Sequence, residues 1–218
     1  MRIYHLGGRL FESVTHLLTW GRVDRFKSEL VEKLGVRPGD RVLDWGCGTG
    51  AGARKVLPLM NGRGEIHGVE IAPNMLKLAV ARSQPSPDLK FSYTLRNGFD
   101  LTLAEPADVA LAWHTLGVLP GDLSARGVEE IWMNLRSGGR VLVTDMYLPE
   151  TKTRWGAIRK SVARFVARNF YHQNFGGSVL PNLERYFETV EILHRPNLMA
   201  YAFLGRRRDE PLEALRTS

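Results

Sequence analysis

The spacing of apolar and polar residues changes along the chain between a helical period and the short apolar runs of buried strands. A helical period covers residues 10–20 and 23–34, and turn-forming residues at 38–40 end it. Strand-like and helical segments alternate after this point. The predicted strands are 41–44, 65–71, 89–95, 107–113 and 140–147, and the predicted helices are 51–60, 73–82 and 128–135. A turn at 137–139 precedes the last of these strands.

The last two strand-like runs, residues 189–194 and 199–205, are joined by only a few residues. Such a connection is too short for a helical crossover, so we expect the two strands to pair antiparallel. The alternation before them implies parallel strands with right-handed crossovers. The pattern therefore predicts an α/β fold, in which a doubly wound, mostly parallel sheet of seven strands carries N-terminal helices and a C-terminal antiparallel hairpin.

A chain of 218 residues is long enough for one substantial core and too short for two comfortable domains. We therefore expect a single domain over residues 1–208. Its additions are a helical cap at 1–34 and a lid insertion at 150–178, and residues 209–218 form a polar tail. The arginines from Arg206 onward begin a polar stretch that we expect to fray.

Composition narrows the class of protein without fixing its function. The chain is 44% hydrophobic and 24% charged, as ordinary globular proteins are, and its single cysteine excludes an intrachain disulfide framework and fits a reducing compartment. No signal peptide or membrane-spanning run is recognisable, so we expect a cytoplasmic protein. A net charge of +7 favours an anionic partner, which leaves nucleic acid, an anionic membrane surface and an acidic substrate open.

Three glycines alternate with other residues directly after the first predicted strand, in the segment VLDWGCGTG. Gly46, Gly48 and Gly50 would let the backbone approach a ligand closely, and Glu70 follows about 20 residues later, where an acid takes ribose hydroxyls. This spacing also suits a dinucleotide. Asp44 argues against one, because its carboxylate would face a pyrophosphate of the same charge. S-adenosylmethionine, whose ammonium and sulfonium are cations, would instead be attracted.

Five segments follow the order and spacing of a known family. They read RVLDWGCGTG, GVEIAPNML, RNGFDLTL, ADVALAWHTLGVL and LRSGGRVLVTD, and the similarity extends from residue 34 to residue 145. The chain thereby resembles the class I S-adenosylmethionine-dependent methyltransferases, which have a Rossmann-like sheet. Among them it is most similar to the ubiquinone/menaquinone methyltransferase-like group, which also includes some bacterial phospholipid N-methyltransferases. The final hairpin, with YFETVEILHRP, suits the same fold.

The resemblance implies that S-adenosylmethionine is the cofactor, and it assigns residues to the parts of that molecule. Asp44, Gly46 and Gly48 would hold the methionine portion, and Glu70 would accept hydrogen bonds from both ribose hydroxyls. These motifs are shared across the superfamily, so they do not specify a substrate.

On the adenine side, Ile71 and Met75 would lie on the two faces of the ring, although Met75 also suits a core position. Asn97, followed by Gly98, stands where the family usually has an aspartate for the adenine amino group, and its amide oxygen can accept that bond as well. Trp113, at the end of the fourth strand, would lie near the sulfonium methyl.

Methyl transfer from a sulfonium is an in-line displacement, so orientation and desolvation can supply most of the catalysis. An amine acceptor needs only to lose its proton, whereas a phenol or a ring carbon needs a placed base. His114 is a candidate because the resemblance places it nearest the transferred methyl. Further candidates at the mouth of the site are Tyr4, His5, Tyr147, Tyr171 and His172.

The other reactive side chains have structural interpretations. Cys47 is interpreted as a small packed side chain within the glycine segment, since the sequence identifies no base that would activate it as a nucleophile. His67 lies within a predicted strand and His194 on a predicted edge strand. No group of His, Cys, Asp or Glu has the spacing of metal ligands, so we predict no metal site.

The spacing of apolar residues in 151–177 predicts a basic amphipathic helix. Its apolar residues fall on one side, and Lys160, Arg164 and Arg168 fall on the other. Such a helix can rest on an anionic bilayer surface, or it can be a lid that packs on the core and leaves its basic face solvated.

The predicted function is methyl transfer to a lipid or lipid-linked small molecule at the membrane surface, with a phospholipid headgroup amine or a prenyl quinone precursor as acceptor. The alternatives are a methyltransferase of a soluble small molecule or of RNA, and a noncatalytic module that binds the cofactor and regulates a partner. The fourth strand ends in Ala-Trp-His-Thr and lacks the Pro-Pro-containing signature typical of base-amino methyltransferases, which disfavours nucleic acid.

Overall fold

The computed structural model describes residues 22–96, 99–119, 121–146, 179–198 and 200–212, and its elements alternate as predicted. The helices are α1 (Arg22–Leu34), α2 (Ala51–Met60), α3 (Pro73–Arg82), α4 (Gly121–Met133) and α5 (Leu180–Tyr186). The strands are β1 (Arg41–Trp45), β2 (Gly64–Glu70), β3 (Leu89–Leu95), β4 (Ala107–Trp113), β5 (Leu135–Met146), β6 (Phe187–Arg195) and β7 (Ala200–Arg207). The predicted helix at 10–20, the lid insertion and the tail from residue 213 lie outside the described residues, so the division of the whole chain stays a prediction.

Local sequence explains where the helices form. The buried residues of α1, Phe26, Leu30, Val31 and Leu34, recur at the three- and four-residue intervals of one helix face. α3 starts at Pro73, whose fixed φ and missing N–H suit the first helical position. Apolar spacing and helix-start chemistry therefore agree in both elements.

All seven strands form one sheet in the order β3-β2-β1-β4-β5-β7-β6. β1 to β5 run parallel, whereas β7 pairs antiparallel with both β5 and β6. A 3-10 turn at Pro196–Leu198 connects β6 to β7. The order reverses between β1 and β4, and such a reversal opens a crevice at the carboxyl ends of the strands. The predicted doubly wound, mostly parallel sheet with a C-terminal antiparallel hairpin is confirmed.

Two apolar layers cover the sheet. On one face, α1 contributes Leu30 to a cluster that includes Val42 of β1. On the other face, α4 and α5 contribute Ile131 and Leu183 to a cluster that includes Leu43. Each of these side chains is almost fully buried, and burying one stabilises the fold by about 1.5–3 kcal/mol. Neighbouring residues of β1 thus serve opposite layers.

The passage from α4 to β5 differs from the prediction. Residues 128–135 were expected to be helical and 137–139 to form a turn, but α4 is Gly121–Met133 and β5 already begins at Leu135. Leu135 pairs with Ala107, and Arg140 pairs with Val109 across a register shift. Residues 136–139, which lie between these two pairs, are extra residues within β5. The strand begins before them because Leu135 pairs with β4.

The expected fraying from Arg206 onward is wrong for the part of this segment that the structure describes. Arg206 and Arg207 belong to β7. The Arg207 guanidinium carbon lies 4.4 Å from the ring centroid of Trp132, and Nε donates to the Trp132 carbonyl oxygen at 2.9 Å. Leu212 N–H donates to the Arg185 carbonyl oxygen at 2.8 Å. Backbone pairing and cation–π contact hold residues whose charges alone suggested a solvated end.

Candidate active site

The glycine turn, residues 46–50, leaves the carboxyl end of β1 and leads into α2. Gly46, Gly48 and Gly50 have φ angles of +73°, +54° and +76°, in the left-handed region that L side chains rarely adopt. A Cβ on Gly46 would also overlap the side chain of Thr115, which comes from the turn after β4. The backbone at Gly46 therefore requires glycine for its conformation and for its neighbour.

Asp44 lies on β1, two residues before the glycine turn, and only 1% of its surface is exposed. Its Oδ2 accepts a hydrogen bond from the Ala53 N–H at 3.1 Å. Burial raises the pKa of Asp44 to about 7 against the effect of this hydrogen bond, and the negative charge of Glu70 adds to the rise. A cation beside Asp44 would relieve the penalty on its charged form.

Glu70 ends β2 and lies beside the glycine turn. Its Oε2 accepts from Gly48 N–H at 2.8 Å, and its Oε1 accepts from Ile71 N–H at 2.9 Å and from Ala72 N–H at 2.8 Å. Three backbone donors therefore fix the carboxylate. Since β1 and β2 are neighbours in the sheet, Glu70 and Asp44 lie at adjacent strand ends on either side of the turn.

Apolar side chains lie exposed next to these carboxylates. Ile71 is 54% exposed, and Leu95, at the end of β3, is 52% exposed. The terminal methyl carbon of Met75 lies 3.9 Å from the position that a Cβ would take at the second glycine of the turn. Exposed apolar surface beside polar groups suits a flat ring such as a nucleobase. Asn97 and Gly98 lie outside the described residues, so their adenine contacts stay a prediction.

Trp113 ends β4 and brings its indole close to Asp44. A Cβ at Gly52 would lie 2.9 Å from the indole Nε1 and 3.0 Å from Asp44 Oδ1, so the missing side chain at Gly52 lets both groups approach. Nε1 of Trp113 is buried, and no hydrogen-bond partner for it is found in the described part of the chain. A buried donor without an acceptor is costly, which makes this N–H available to a ligand.

His114 follows in a left-handed conformation, with φ +52°, and its N–H donates to the Thr144 carbonyl oxygen at 2.8 Å. Its Nδ1 is also buried, again without a partner within the ranges that the structure describes. Desolvation lowers the pKa of His114 to about 3, and the positive charge of Lys27 contributes. The imidazole is therefore neutral at physiological pH. It can donate and accept hydrogen bonds, but it is a weak base.

Two residues that sequence reasoning missed complete this surface. Thr144 of β5 pairs with Trp113 in the sheet, and its Oγ1 is buried with no partner among the residues described. The Lys27 ammonium, from α1, lies 5.5 Å from the ring centroid of Trp113. We call Lys27, Trp113, His114 and Thr144 the acceptor wall. Nothing in the local sequence around Lys27 distinguishes it from a solvated helix lysine.

The turn after β4 is held from two sides. Asp145, which sequence reasoning did not assign, is 1% exposed, and its Oδ2 accepts from the Gly117 N–H at 2.6 Å. Thr115 Oγ1 donates to the Trp113 carbonyl oxygen at 3.0 Å and contacts the Gly46 carbonyl oxygen at 3.4 Å. The turn after β4 and the glycine turn are therefore packed together. The available signal for Asp145 was an acid at the end of an apolar run, as in β1.

The side chains given structural interpretations have matching surroundings. Desolvation and the two nearby carboxylates raise the pKa of Cys47 above its usual range, so the thiol stays protonated. His67 Nδ1 lies 2.7 Å from Ser92 Oγ, and its Nε2 lies 3.0 Å from Thr94 Oγ1. The His194 ring centroid lies 5.4 Å from that of an aromatic ring in β7.

The remaining candidates at the mouth, Tyr4, His5, Tyr147, Tyr171 and His172, lie outside the described residues, and their placement stays a prediction. In the part of the chain that the structure covers, no group of three or more His, Cys, Asp or Glu side chains could hold a metal ion. The predicted residues brought together at the ends of β1, β2 and β4 are Asp44, Gly46, Gly48, Glu70, Ile71, Met75, Trp113 and His114.

Residues 42–139 match the protein family described as a methyltransferase domain. This part of the chain is similar to methyltransferase domains. The matched segment runs from β1 into the extra residues of β5, so it contains the glycine turn, Glu70 and Trp113. The resemblance to methyltransferases expected from the motifs is confirmed.

Individual methyltransferases are also similar to the chain. A demethylmenaquinone methyltransferase of Symbiobacterium thermophilum is 30% identical over 147 residues, which cover 64% of this chain and 55% of that protein. Phosphoethanolamine N-methyltransferase 2 of Caenorhabditis elegans is 25% identical over 118 residues, which cover 53% of this chain and 26% of that protein. The chain thus spans little more than half of the first relative's length and about a quarter of the second's.

The crystal structure of the N-methyltransferase NodS from Bradyrhizobium japonicum WM9 in complex with S-adenosyl-L-homocysteine shares the fold. Its TM-score is 0.62 at 14% sequence identity, over 85% of this chain and 87% of that chain. At this level of identity, the similarity shows a common architecture of sheet and helices.

Proposed function

We propose that this protein is an S-adenosylmethionine-dependent methyltransferase whose acceptor is a lipid-linked small molecule. The observation that carries the proposal is the placement of Asp44 and Glu70 at adjacent strand ends beside the glycine turn. A pyrophosphate would meet two carboxylates there, whereas a ligand with a cationic ammonium and ribose hydroxyls would meet suitable partners. The family of the domain supports the same activity.

The described residues fit this cofactor. Asp44 is buried with a raised pKa, and the ammonium of a bound cofactor would favour its charged form. Three of roughly four acceptor positions on Glu70 are used by backbone N–H groups, so Oε2 is the atom best placed for a ribose hydroxyl. Ile71 and Met75 would contact the adenine. When bound, S-adenosylmethionine would supply an electrophilic methyl group on its sulfonium sulfur.

The acceptor wall would orient the acceptor for in-line attack and keep water away, the two effects on which this reaction depends. Trp113 Nε1 can donate a hydrogen bond, and Thr144 Oγ1 can donate or accept one. The lowered pKa of His114 makes it a poor acceptor for the substrate's proton. His114 would therefore not be the base that takes the acceptor's proton. Neutral His114 would instead help to position the acceptor.

The charge on the acceptor wall favours an oxygen-bearing acceptor over a phospholipid amine. The Lys27 ammonium is close enough to lower the pKa of His114, so a second ammonium at this surface would meet a like charge. A phenolic or quinol oxygen would meet positive charge and hydrogen-bond donors instead. Of the two acceptor classes predicted, a prenyl quinone precursor fits better, and the name of the demethylmenaquinone methyltransferase relative supports this choice.

We also propose that the protein works at an anionic membrane surface, where a lipid-linked acceptor resides. The support is the predicted basic helix with Lys160, Arg164 and Arg168, which lies outside the described residues. No described helix is both long and apolar enough to cross a bilayer. Neutralising the three residues should reduce cosedimentation with anionic vesicles, and unchanged cosedimentation would assign the helix to the lid role.

Calorimetry with S-adenosyl-L-homocysteine and with NAD⁺ tests the cofactor. We expect the full chain to bind the first, and Asp44→Ala and Glu70→Ala each to abolish that binding. Tight binding of NAD⁺ with no response to S-adenosyl-L-homocysteine would overturn the proposal, and unchanged affinity in both variants would refute the site.

Transfer of a labelled methyl group tests the acceptor, with a prenylated hydroquinone, phosphatidylethanolamine and tRNA offered in parallel. Label in the hydroquinone supports the proposal, whereas label in the other two supports an amine or a nucleic acid acceptor. Cofactor binding without any transfer supports the noncatalytic module. Lys27→Met should raise the KM for the hydroquinone and leave cofactor affinity unchanged. Lys33→Met is the matched control on α1, since Lys33 pairs with Glu191 at 2.9 Å.

A further inference from the structure

Glu130, a buried carboxylate on α4, joins the end of β1 to the connection between β3 and β4. It is 2% exposed. Its Oε2 accepts a hydrogen bond from the Trp45 Nε1–H at 2.7 Å, and its Oε1 accepts from the Leu101 N–H at 2.5 Å. Trp45 directly precedes the glycine turn, whereas Leu101 belongs to the connection between β3 and β4. One carboxylate thus joins β1 to a segment far from it in sequence.

The end of α4 holds the same connection at further points. Asn134 Oδ1 accepts from the Leu103 N–H at 2.8 Å, and its Nδ2 donates to the Leu101 carbonyl oxygen at 2.9 Å. Phe99 stacks on Trp45 with ring centroids 6.3 Å apart. The connection is therefore fixed to α4 through its backbone and to β1 through an aromatic contact. These bonds hold the connection against the C-terminal end of α4, close to the start of β4.

A carboxylate is the side chain that satisfies this position. Two N–H donors, an indole and a backbone amide, converge on Glu130, and its two oxygens can accept from both. A glutamine has a single acceptor oxygen, so its NH₂ group would face one of the N–H donors. Burying a charge is unfavourable unless hydrogen bonds compensate it. Here the indole N–H and the backbone N–H each donate to one carboxylate oxygen.

We propose that Glu130 is a positioning residue for the S-adenosylmethionine pocket. It holds Trp45, which directly precedes the glycine turn, at a fixed separation from Leu101 in the connection between β3 and β4. It acts through these two residues and does not touch the cofactor. The inference rests on the proposed function, since the pocket is the one assigned to that cofactor. A helix that packs beneath the sheet thereby controls cofactor affinity.

Glu130→Gln tests the inference by calorimetry with S-adenosyl-L-homocysteine, at a temperature where near-UV circular dichroism shows a folded protein. We expect the dissociation constant to rise about tenfold or more, the size of effect that one unsatisfied buried donor produces. Glu129→Gln is the matched control, because it removes the same charge from an exposed position on the same helix. Unchanged affinity in Glu130→Gln would overturn the inference.

Adding Trp45→Phe separates positioning from general loosening. Phenylalanine keeps an aromatic ring for Phe99 and removes the indole N–H, so the amide oxygen of a glutamine at 130 can accept from Leu101 while its NH₂ group faces no donor. We expect Trp45→Phe to recover part of the affinity that Glu130→Gln loses. General loosening predicts that the two losses add, and added losses would overturn the inference.

Trp45→Phe alone provides a second test if Glu130→Gln does not fold, because it leaves Oε2 without the indole donor. A severalfold rise in the dissociation constant is expected, and an unchanged constant would overturn the inference. Failure of the wild-type chain to bind S-adenosyl-L-homocysteine would refute the proposed function instead. Binding by the wild type with no effect in the variants would refute only the role of Glu130.

Discussion

Asp44→Asn should make the ligand-free protein more stable above pH 7 while it removes the ionic partner of the cofactor. Burial raises the pKa of Asp44 from the usual 3.8 to about 7, and this difference corresponds to about 4 kcal/mol at about 1.4 kcal/mol per pH unit. Asparagine keeps an oxygen for the Ala53 N–H and carries no charge. The free energy of unfolding should therefore rise by up to about 4 kcal/mol.

The gain should depend on pH with a definite sign. Between pH 3.8 and about 7, the folded chain retains a proton on Asp44 that the unfolded chain has released, so wild-type stability falls as the pH rises. Below this range both states are protonated, and the variant gains nothing from the missing charge. Urea unfolding of both proteins from about pH 4 to about pH 9 measures the difference, which should grow with pH and level off above 7.

Asp108→Asn is a control of the opposite sign. Burial alone would raise the pKa of Asp108, but hydrogen bonds from the Arg41 N–H and from Arg136 hold it below 3.8. This variant should lose stability at neutral pH, and its deficit should shrink as the pH falls towards 3.8 and below. The reasoning about Asp44 is refuted if Asp44→Asn is less stable than the wild type at pH 8, or if its effect is the same at pH 4 and pH 8.

Three further predictions concern the same site. The dissociation constant of S-adenosyl-L-homocysteine should rise about tenfold per pH unit below 7, because protonated Asp44 cannot pair with an ammonium; a flat calorimetric profile would contradict this. Gly46→Ala should abolish cofactor binding and destabilise the fold more than Gly39→Ala, whose φ is also positive but whose Cβ would meet open space; equal melting temperatures would show that the Thr115 contact is unimportant. The His114 ring should show no NMR titration between about pH 5 and pH 8, and a midpoint near 6.5 would contradict its desolvation.

Short-range patterns were sufficient for the elements that have local start and stop signals. The bounds of α2, α3, β3 and β4 match the predictions residue for residue. Proline at the first position of α3 and the glycine turn before α2 mark these boundaries within a few residues. Where a distant partner decides, prediction failed, as at Leu135, which pairs with Ala107 and is a strand residue.

The same distinction applies to the candidate site. Asp44 and Glu70 could be placed together from the sequence, because parallel strands that are neighbours in a doubly wound sheet bring their carboxyl ends side by side. The contact between Trp45 and Glu130 joins residues 85 positions apart, and neither position has a pattern that names the other. Lys27 likewise has the sequence context of an ordinary helix lysine. Its contact with Trp113 depends on how α1 packs on the sheet.

Because β7 lies between β5 and β6, the sheet cannot close until the ribosome has released the C-terminal part of the chain. β6 is synthesised before β7 but has its described sheet partner only in β7, so it must wait for that strand. During this interval β5, an interior strand of the finished protein, presents an unpaired edge that another nascent chain can bind. A stop codon before residue 200 should therefore yield aggregates instead of a shortened soluble protein.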